Sequence, residues 1–345
     1  MKKMKKRIIV ILLLIIVLAG VFVVLYKDKL FPANSNNLEE PVEFVAPEPE
    51  PEVQIFKGDA RPVAVMIDNH KDAWHHVGLN NAYLVYEFMV EGGVTRLMPV
   101  FKGNVPDEVG PIRSARPYYI DYALENDAIF IHFGYTIQAG DDMRALKINE
   151  IEGMLYDGSK FWRDKKFSAP HNAMTGNENL NALFTKNNFR TTSTDKGFNF
   201  TAKEYDLEST LPANSITLKY STYQTTSYEY NTETKMYQRS MGGKPHTDAR
   251  TKEQYAAKNI IVLSAKYENL NDKREVPDKG YQKLFNIGEG TGYFITNGEH
   301  INITWKKASR EAKTQYFGPD GNEIKLNDGI TYVQIVPTTG TITIE

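Results

Sequence analysis

An α+β (or α/β) domain followed by a mainly β domain, both behind one N-terminal transmembrane helix, is the architecture the sequence predicts. Three observations carry it. Five cations, Lys2, Lys3, Lys5, Lys6 and Arg7, precede an unbroken apolar run over residues 8–26. Residues 56–200 alternate short apolar runs with helix-start signals, a mixed pattern. Residues 211–345 hold short runs rich in Tyr, Ile, Val and Thr, separated by tight-turn signals. With 345 residues, 41% of them hydrophobic, the chain can build two cores beside an anchor and a linker.

The apolar run is nineteen residues long and at about 1.5 Å per residue nearly crosses a hydrocarbon layer of about 30 Å. Cations stay on the cytoplasmic side, so the chain after Tyr26 is expected outside the membrane. No A-x-A cleavage pattern closes the run, which favours a retained signal anchor over residues 1–29. Residues 30–55 shift to Asn, Ser, Pro and Glu and end in A-P-E-P-E-P-E. Alternating Pro and Glu resist helix and sheet and repel one another, so this segment reads as an extended linker.

Charge and cysteine content remove several classes of function. A net charge of -2 and a pI near 6.4 give no general basic surface for nucleic acid. The absence of cysteine excludes disulfides, thiolate metal sites and a cysteine nucleophile, and is compatible with an oxidising exterior.

In the first domain, a buried-strand pattern over 62–67 stops at Asp68 and Asn69, which places both at its C-terminal edge. Strands over 82–90 and 95–102 follow, joined through Glu91-Gly92-Gly93, with Glu87 and Arg96 standing where apolar residues belong. Burying either charge alone is costly, so each needs a polar partner or a cleft. Residues 109–121, V-G-P-I-R-S-A-R-P-Y-Y-I-D, carry a turn, an N-cap candidate in Ser114 and Pro117 ahead of a helix over 118–125. Arg113 and Arg116 flank that helix start, where unpaired amides favour an anion. Pairing of both arginines with acids of the same domain is the alternative. A strand over 128–135 carries His132, a helix is expected over 141–155, Arg163 and A-P-H-N over 169–172 lie in irregular chain, and a helix closes the domain over 177–189.

In the second domain, strands are expected over 216–220, 227–230, 235–240, 259–264, 281–287, 292–296, 301–306 and 330–336. Gly242-Gly243, Asn297-Gly298 and Pro319-Asp320-Gly321 mark turns between them.

These motifs jointly resemble the YerB-like family of extracytoplasmic lipoproteins of Gram-positive bacteria. The likeness spans residues 61–337 and rests on V-M-I-D-N from Val65, Y-E-F-M-V-E-G-G-V-T-R from Tyr86, G-P-I-R-S-A-R-P-Y from Gly110, I-H-F-G from Ile131, F-W-R from Phe161 and A-P-H-N from Ala169. In the second domain it rests on K-P-H-T-D from Lys244, A-K-N-I-I-V-L from Ala257 and D-G-N-E-I-K-L-N-D-G from Asp320. Val21 stands where the family carries its acylated cysteine, so the resemblance implies a surface location held by a spanning helix rather than a lipid. The family supplies no catalytic residues to carry over.

Candidate chemistry therefore comes from residue types. Asp68, Glu87 and His171 are the candidate acids and bases. Asn69, Glu91, Arg96, Arg113, Ser114, Arg116, Asp121, His132, Arg163 and Asn172 form the candidate ligand-binding set, although a self-satisfied charge network fits the same residues and a hydrogen-bonded core role fits His132. His70, His75 and His76 near Asp68 lack a metal-motif spacing, so no metal is assigned, and no cofactor is implied. His246 reads as a loop brace. The first expectation is a tethered protein that binds an anionic wall or glycan group, the second an envelope hydrolase or transferase, and the third a scaffold for envelope protein partners.

Overall fold

The computed structural model describes residues 2–30, 52–56, 58–194, 197–209, 211–276 and 279–345. The expected linker over 30–55 lies, apart from its ends, outside them. The chain divides into Met1–Glu50 and a compact body, Pro51–Glu345. In the first unit, α1 (Lys2–Leu30) contains a window, Ile11–Lys29, long and apolar enough to cross a membrane. In the body, the buried apolar side chains run from Val63 onward, so it carries its own core.

The N-terminal region of the body is mixed α/β and the C-terminal region mainly β. Strands β1 (Val63–Val65), β2 (Ile67–Asp68), β3 (Leu84–Met89), β4 (Thr95–Phe101), β5 (Ile129–His132) and β6 (Glu150–Glu152) enter an 11-stranded sheet. Its other half comes from Gln315–Phe317, Glu299–Lys307, Gly288–Thr296, Asn259–Ala265 and Thr331–Pro337. The seam is a parallel pair, Thr331–Pro337 on β3, with Thr331 opposite Leu84 and Ile335 opposite Phe88. One hydrogen-bonded sheet therefore runs through both regions of sequence.

Strand alternation sorts the side chains onto the two faces of this sheet. Leu84, Tyr86 and Phe88 of β3 pack with Tyr118, Tyr119, Ile120 and Tyr122 of α2 (Pro117–Glu125), and with Ala139 and Met143 of α3 (Ile137–Ala145). Val85 and Leu97 face the opposite way, into a core shared with Ile216, Leu218, Tyr228 and Tyr237. Those residues belong to a six-stranded sheet that includes Ser215–Lys219, Thr225–Asn231, Met236–Met241 and Thr341–Ile344. The same core takes Leu180, Leu183 and Phe184 from α4 (Asn177–Lys186).

Two turn signals form as their chemistry requires. Asn297 and Gly298 both take positive φ and close a two-residue hairpin between Thr296 and Glu299, and Gly242-Gly243 does the same between Met241 and Lys244. The helix expected over 141–155 is corrected. Thr136 caps α3 earlier, Lys147 adopts a left-handed φ of 51° that stops it, and Ile151 enters β6 opposite Ile131. The expected cap is corrected as well: Pro117 is the first helical residue, so the N-cap is Arg116, while Ser114 Oγ donates to the Phe133 carbonyl.

Candidate functional site

The site grows from the C-terminal end of β2. Asp68 sits opposite Arg96 across the β2–β4 pair and is almost fully buried. Its Oδ2 lies 2.8 Å from His171 Nδ1 and 3.2 Å from Arg113 Nε, and its Oδ1 accepts the His70 amide at 3.1 Å. Burial alone would raise the Asp68 pKa. The charges of Arg113 and Arg96, with the His70 amide and His171, outweigh burial and hold it below the ordinary carboxylate value. An ionised Asp68 only accepts, so His171 carries its proton on Nδ1 and Nε2 is left as the basic nitrogen. His70 stacks on His171 with ring centroids 5.0 Å apart.

His171 is delivered by a braced loop. Asn172 Nδ2 donates to the Phe167 carbonyl at 2.9 Å, and the Asp164 amide donates to the Asn172 carbonyl at 2.8 Å. Arg163 pairs with Asp157 at 2.8 Å, reaches Asn172 Oδ1 at 3.3 Å and lies 4.4 Å from the centre of the Phe133 ring. Arg163 and Asn172, expected to touch a ligand, are engaged in holding the loop that carries His171.

Arg113 and Arg116 do not meet at the helix start. The segment that carries them is bridged at Ile112 to Ile67 and at Ala115 to Tyr135, and Arg116 has extended angles, φ −130° and ψ 151°. Residues three apart on extended chain face opposite ways. Arg113 goes to Asp68, while Arg116 clamps Glu91 through Nη2 and through Nε at 2.8 Å. Arg96 adds a third bond to Glu91 at 3.1 Å and donates to the Ser114 carbonyl. Burial pushes the Glu91 carboxyl up, but Arg96 and Arg116 together bring it down to about 2. Burial beside Arg116 lowers Arg96 to about 10. Glu91, Arg96 and Arg116 thus satisfy one another, and of the three arginines, Arg96, Arg113 and Arg116, it is Arg113, with 28% of its side chain exposed, that reaches the surface.

Glu87 stands apart from all of this. It points with Val85 toward the second sheet, where its carboxylate, 0% exposed, accepts from Arg239 Nη2 at 2.8 Å. Thr95 donates to it at 2.7 Å, Asn69 at 3.2 Å and Thr226 at 3.2 Å. A carboxylate so enclosed cannot reach a substrate proton, so Glu87 is corrected from a candidate acid or base to a structural ion, and Asn69, expected to touch a ligand, is a buried donor to it. Arg239 also donates to His246 Nδ1. His246 Nε2 is 2.6 Å from His76 Nδ1, and His76 Nε2 is 2.6 Å from the Asp68 carbonyl. Because the guanidinium only donates and the carbonyl only accepts, both histidines are neutral and pass hydrogen bonds one way, Arg239 to His246 to His76 to Asp68. Burial agrees, pushing His76 down to about 4 and His246 well below the ordinary imidazole value.

Two further candidates sit elsewhere. Asp121 on α2 binds Arg310 at 2.6 Å and Asn286 at 3.0 Å. His132 is fully buried, with Gly134 O and Glu150 Oε2 each 3.1 Å from its ring nitrogens. Both are interior braces, so their assignment as ligand contacts is corrected. Arg239, Thr226 and Thr95 carry no motif that marks them as partners of this site. Arg239 left a signal: it shares the inward parity of Tyr237 and Met241, where a charge requires a buried partner.

Two sequence families match the chain. Residues 49–190 match the family described as "Protein of unknown function (DUF3048) N-terminal domain", and residues 216–333 match its C-terminal domain. "Putative lipoprotein YerB" of Bacillus subtilis is 27% identical over 285 residues, 81% of this chain and 82% of that protein. The crystal structure of YerB from Bacillus subtilis is similar, with a TM-score of 0.73 at 26% identity, over 83% of this chain and 94% of that one.

Proposed function

The chain belongs to the YerB-like family of DUF3048 proteins, and on that premise we propose an extracytoplasmic cell-envelope protein that binds an anionic group of the wall. Helix α1 serves as a single-pass anchor with the five cations in the cytoplasm and the body outside. The ligand group is a phosphate or carboxylate on a wall glycan, and it docks at the Asp68 end of β2.

One observation supports this docking point. Arg113 meets Asp68 through Nε, remains partly exposed, and stands beside the partly exposed imidazole of His171. A partly exposed guanidinium is the group best suited to bidentate binding of a carboxylate or phosphate. The test is isothermal titration of the tag-free body, residues 52–345, with phosphate-bearing and carboxylate-bearing wall fragments. Saturable heat that Arg113→Gln removes is expected; no heat from either fragment class ends the reading.

The Asp68–His171 pair favours a second reading, hydrolase or transferase chemistry. A buried carboxylate on Nδ1 leaves Nε2 oriented as a general base. Zymography on purified wall with the wild type, His171→Ala and Asp68→Asn separates the two: turnover must appear and must vanish in both variants.

A further inference from the structure

We infer that His70, Asp72 and His171 form a binding site for one divalent transition-metal ion, with zinc the best match to the donors. Each offers a ligand atom, and the three atoms lie within 4.8 Å of one another. The inference goes beyond the anion reading and does not depend on it, since it uses Asp72 and the ring nitrogens rather than Arg113.

The spacing already suits an ion. Two ligands at zinc's bond lengths of about 2.0–2.1 Å stand roughly 3.4 Å apart in a tetrahedron. His70 Nδ1 and Asp72 Oδ2 are 3.5 Å apart, so this pair needs almost no movement. The His171 imidazole already has a ring nitrogen within 4.8 Å of the other two ligand atoms, so a modest side-chain shift closes the set. The stacking of its ring on His70 keeps the two imidazoles together. The amide of Asp72, which donates to His70 Nδ1 at 3.3 Å, is the contact that yields if Nδ1 takes the ion.

The second shell is the independent argument. Metal-binding histidines donate their other ring N–H to a carboxylate, which fixes the tautomer and raises the basicity of the ligating nitrogen. Asp68 does this to His171: it is buried and 2.8 Å from Nδ1, leaving Nε2 for the ion. A solvated surface histidine has no need of a buried carboxylate behind it. Two imidazoles and one carboxylate select zinc and its neighbours over magnesium or calcium, which prefer oxygen. Three protein ligands also leave a coordination position open, the arrangement of sites at which an ion meets a water or a ligand. Two of the three ligands, His70 and Asp72, line a surface groove of about 790 Å³ with Trp74, Tyr223 and Lys244, which gives an ion a route to them.

The test uses the tag-free body, residues 52–345, freed of metal with a chelator and then titrated with zinc chloride by calorimetry. No envelope fragment is present, so failure here leaves the anion reading untouched. One ion per chain is expected, with binding lost in His70→Ala and in His171→Ala. Asp68→Asn is expected to weaken binding by about 10–100-fold while leaving one site. Because Asp68 is buried and its variant could disturb the fold, His70→Ala carries the decision: His70 is partly exposed, and its variant should melt as the wild type does. No binding by the wild type, or one-to-one binding unchanged in His70→Ala, overturns the site.

Discussion

Glu87→Gln keeps the shape of the side chain and removes its charge. Both members of the Glu87–Arg239 pair are 0% exposed, so the variant leaves a guanidinium in the core without a counter-ion. Removing one partner of a buried pair costs about 3–5 kcal/mol. The low end applies, because the glutamine carbonyl can still accept from Arg239, Thr95 or Thr226. Against a usual total stability of about 5–15 kcal/mol, a loss of about 3 kcal/mol is large. At about 2 °C per kcal/mol for a body of this size, the melting temperature falls by about 6 °C. The loss is readable by urea denaturation followed through the fluorescence of Trp74, Trp162 and Trp305. Glu87→Leu combined with Arg239→Met should recover only part of it, since Thr95, Thr226 and His246 then lose their partners. A Glu87→Gln variant within about 1 kcal/mol of the wild type would refute the claim that this pair holds the two sheets together.

Acid should weaken the body in two steps. His76 is held neutral down to about pH 4 in the fold, so below its ordinary value the unfolded chain binds more protons, and stability falls by up to about 3 kcal/mol between pH 6.5 and 4. Glu91, brought down to about 2 from 4.5, adds a second loss as pH falls through that lower window. Melting temperatures that stay level from pH 6.5 to 4.5 would contradict the first step. Arg113→Gln should remove anion binding at a smaller cost in melting temperature than Arg116→Gln, because Arg113 is partly exposed and Asp68 keeps His171 and the His70 amide, whereas Arg116 is buried on Glu91; the opposite pattern would exchange their roles. Gly176→Ala puts a Cβ 1.7 Å from the Asp107 carbonyl oxygen, an overpacking that costs about 1–3 kcal/mol or more, and an unchanged urea midpoint would show that the backbone yields freely. Because one sheet spans both regions, unfolding of the body should show a single transition by circular dichroism and fluorescence, and two separate midpoints would contradict it.

Local signals were legible where one residue or one period decides the outcome. Pro117 set the start of α2, and adjacent positive-φ residues set the hairpins at 242–243 and 297–298. The strand pattern ending at Asp68 and Asn69, and the β3–β4 pair around Glu91-Gly92-Gly93, followed from apolar runs and glycine. The helix expected over 141–155 failed because apolar spacing spread over α3, a left-handed stop and β6 imitates one helical face. Arg113 and Arg116 flank a helix-start signal in the sequence, but the chain between them is extended and turns them apart.

The sequence by itself determined the apolar N-terminal helix, the order of mixed and β-rich regions, and the fact that Glu87 and Arg96 needed partners, because burying a lone charge is prohibitive wherever it occurs. Tertiary structure alone decided which partners. Glu87 finds Arg239 at 152 residues' distance and His171 finds Asp68 at 103, and no local period encodes a meeting between chain segments so far apart. Residue periodicity assigns a side chain to a face; only the packing of sheet on sheet and loop on strand assigns what it meets there, and at the Asp68 end of β2 that is what gathers the imidazoles, the carboxylates and Arg113.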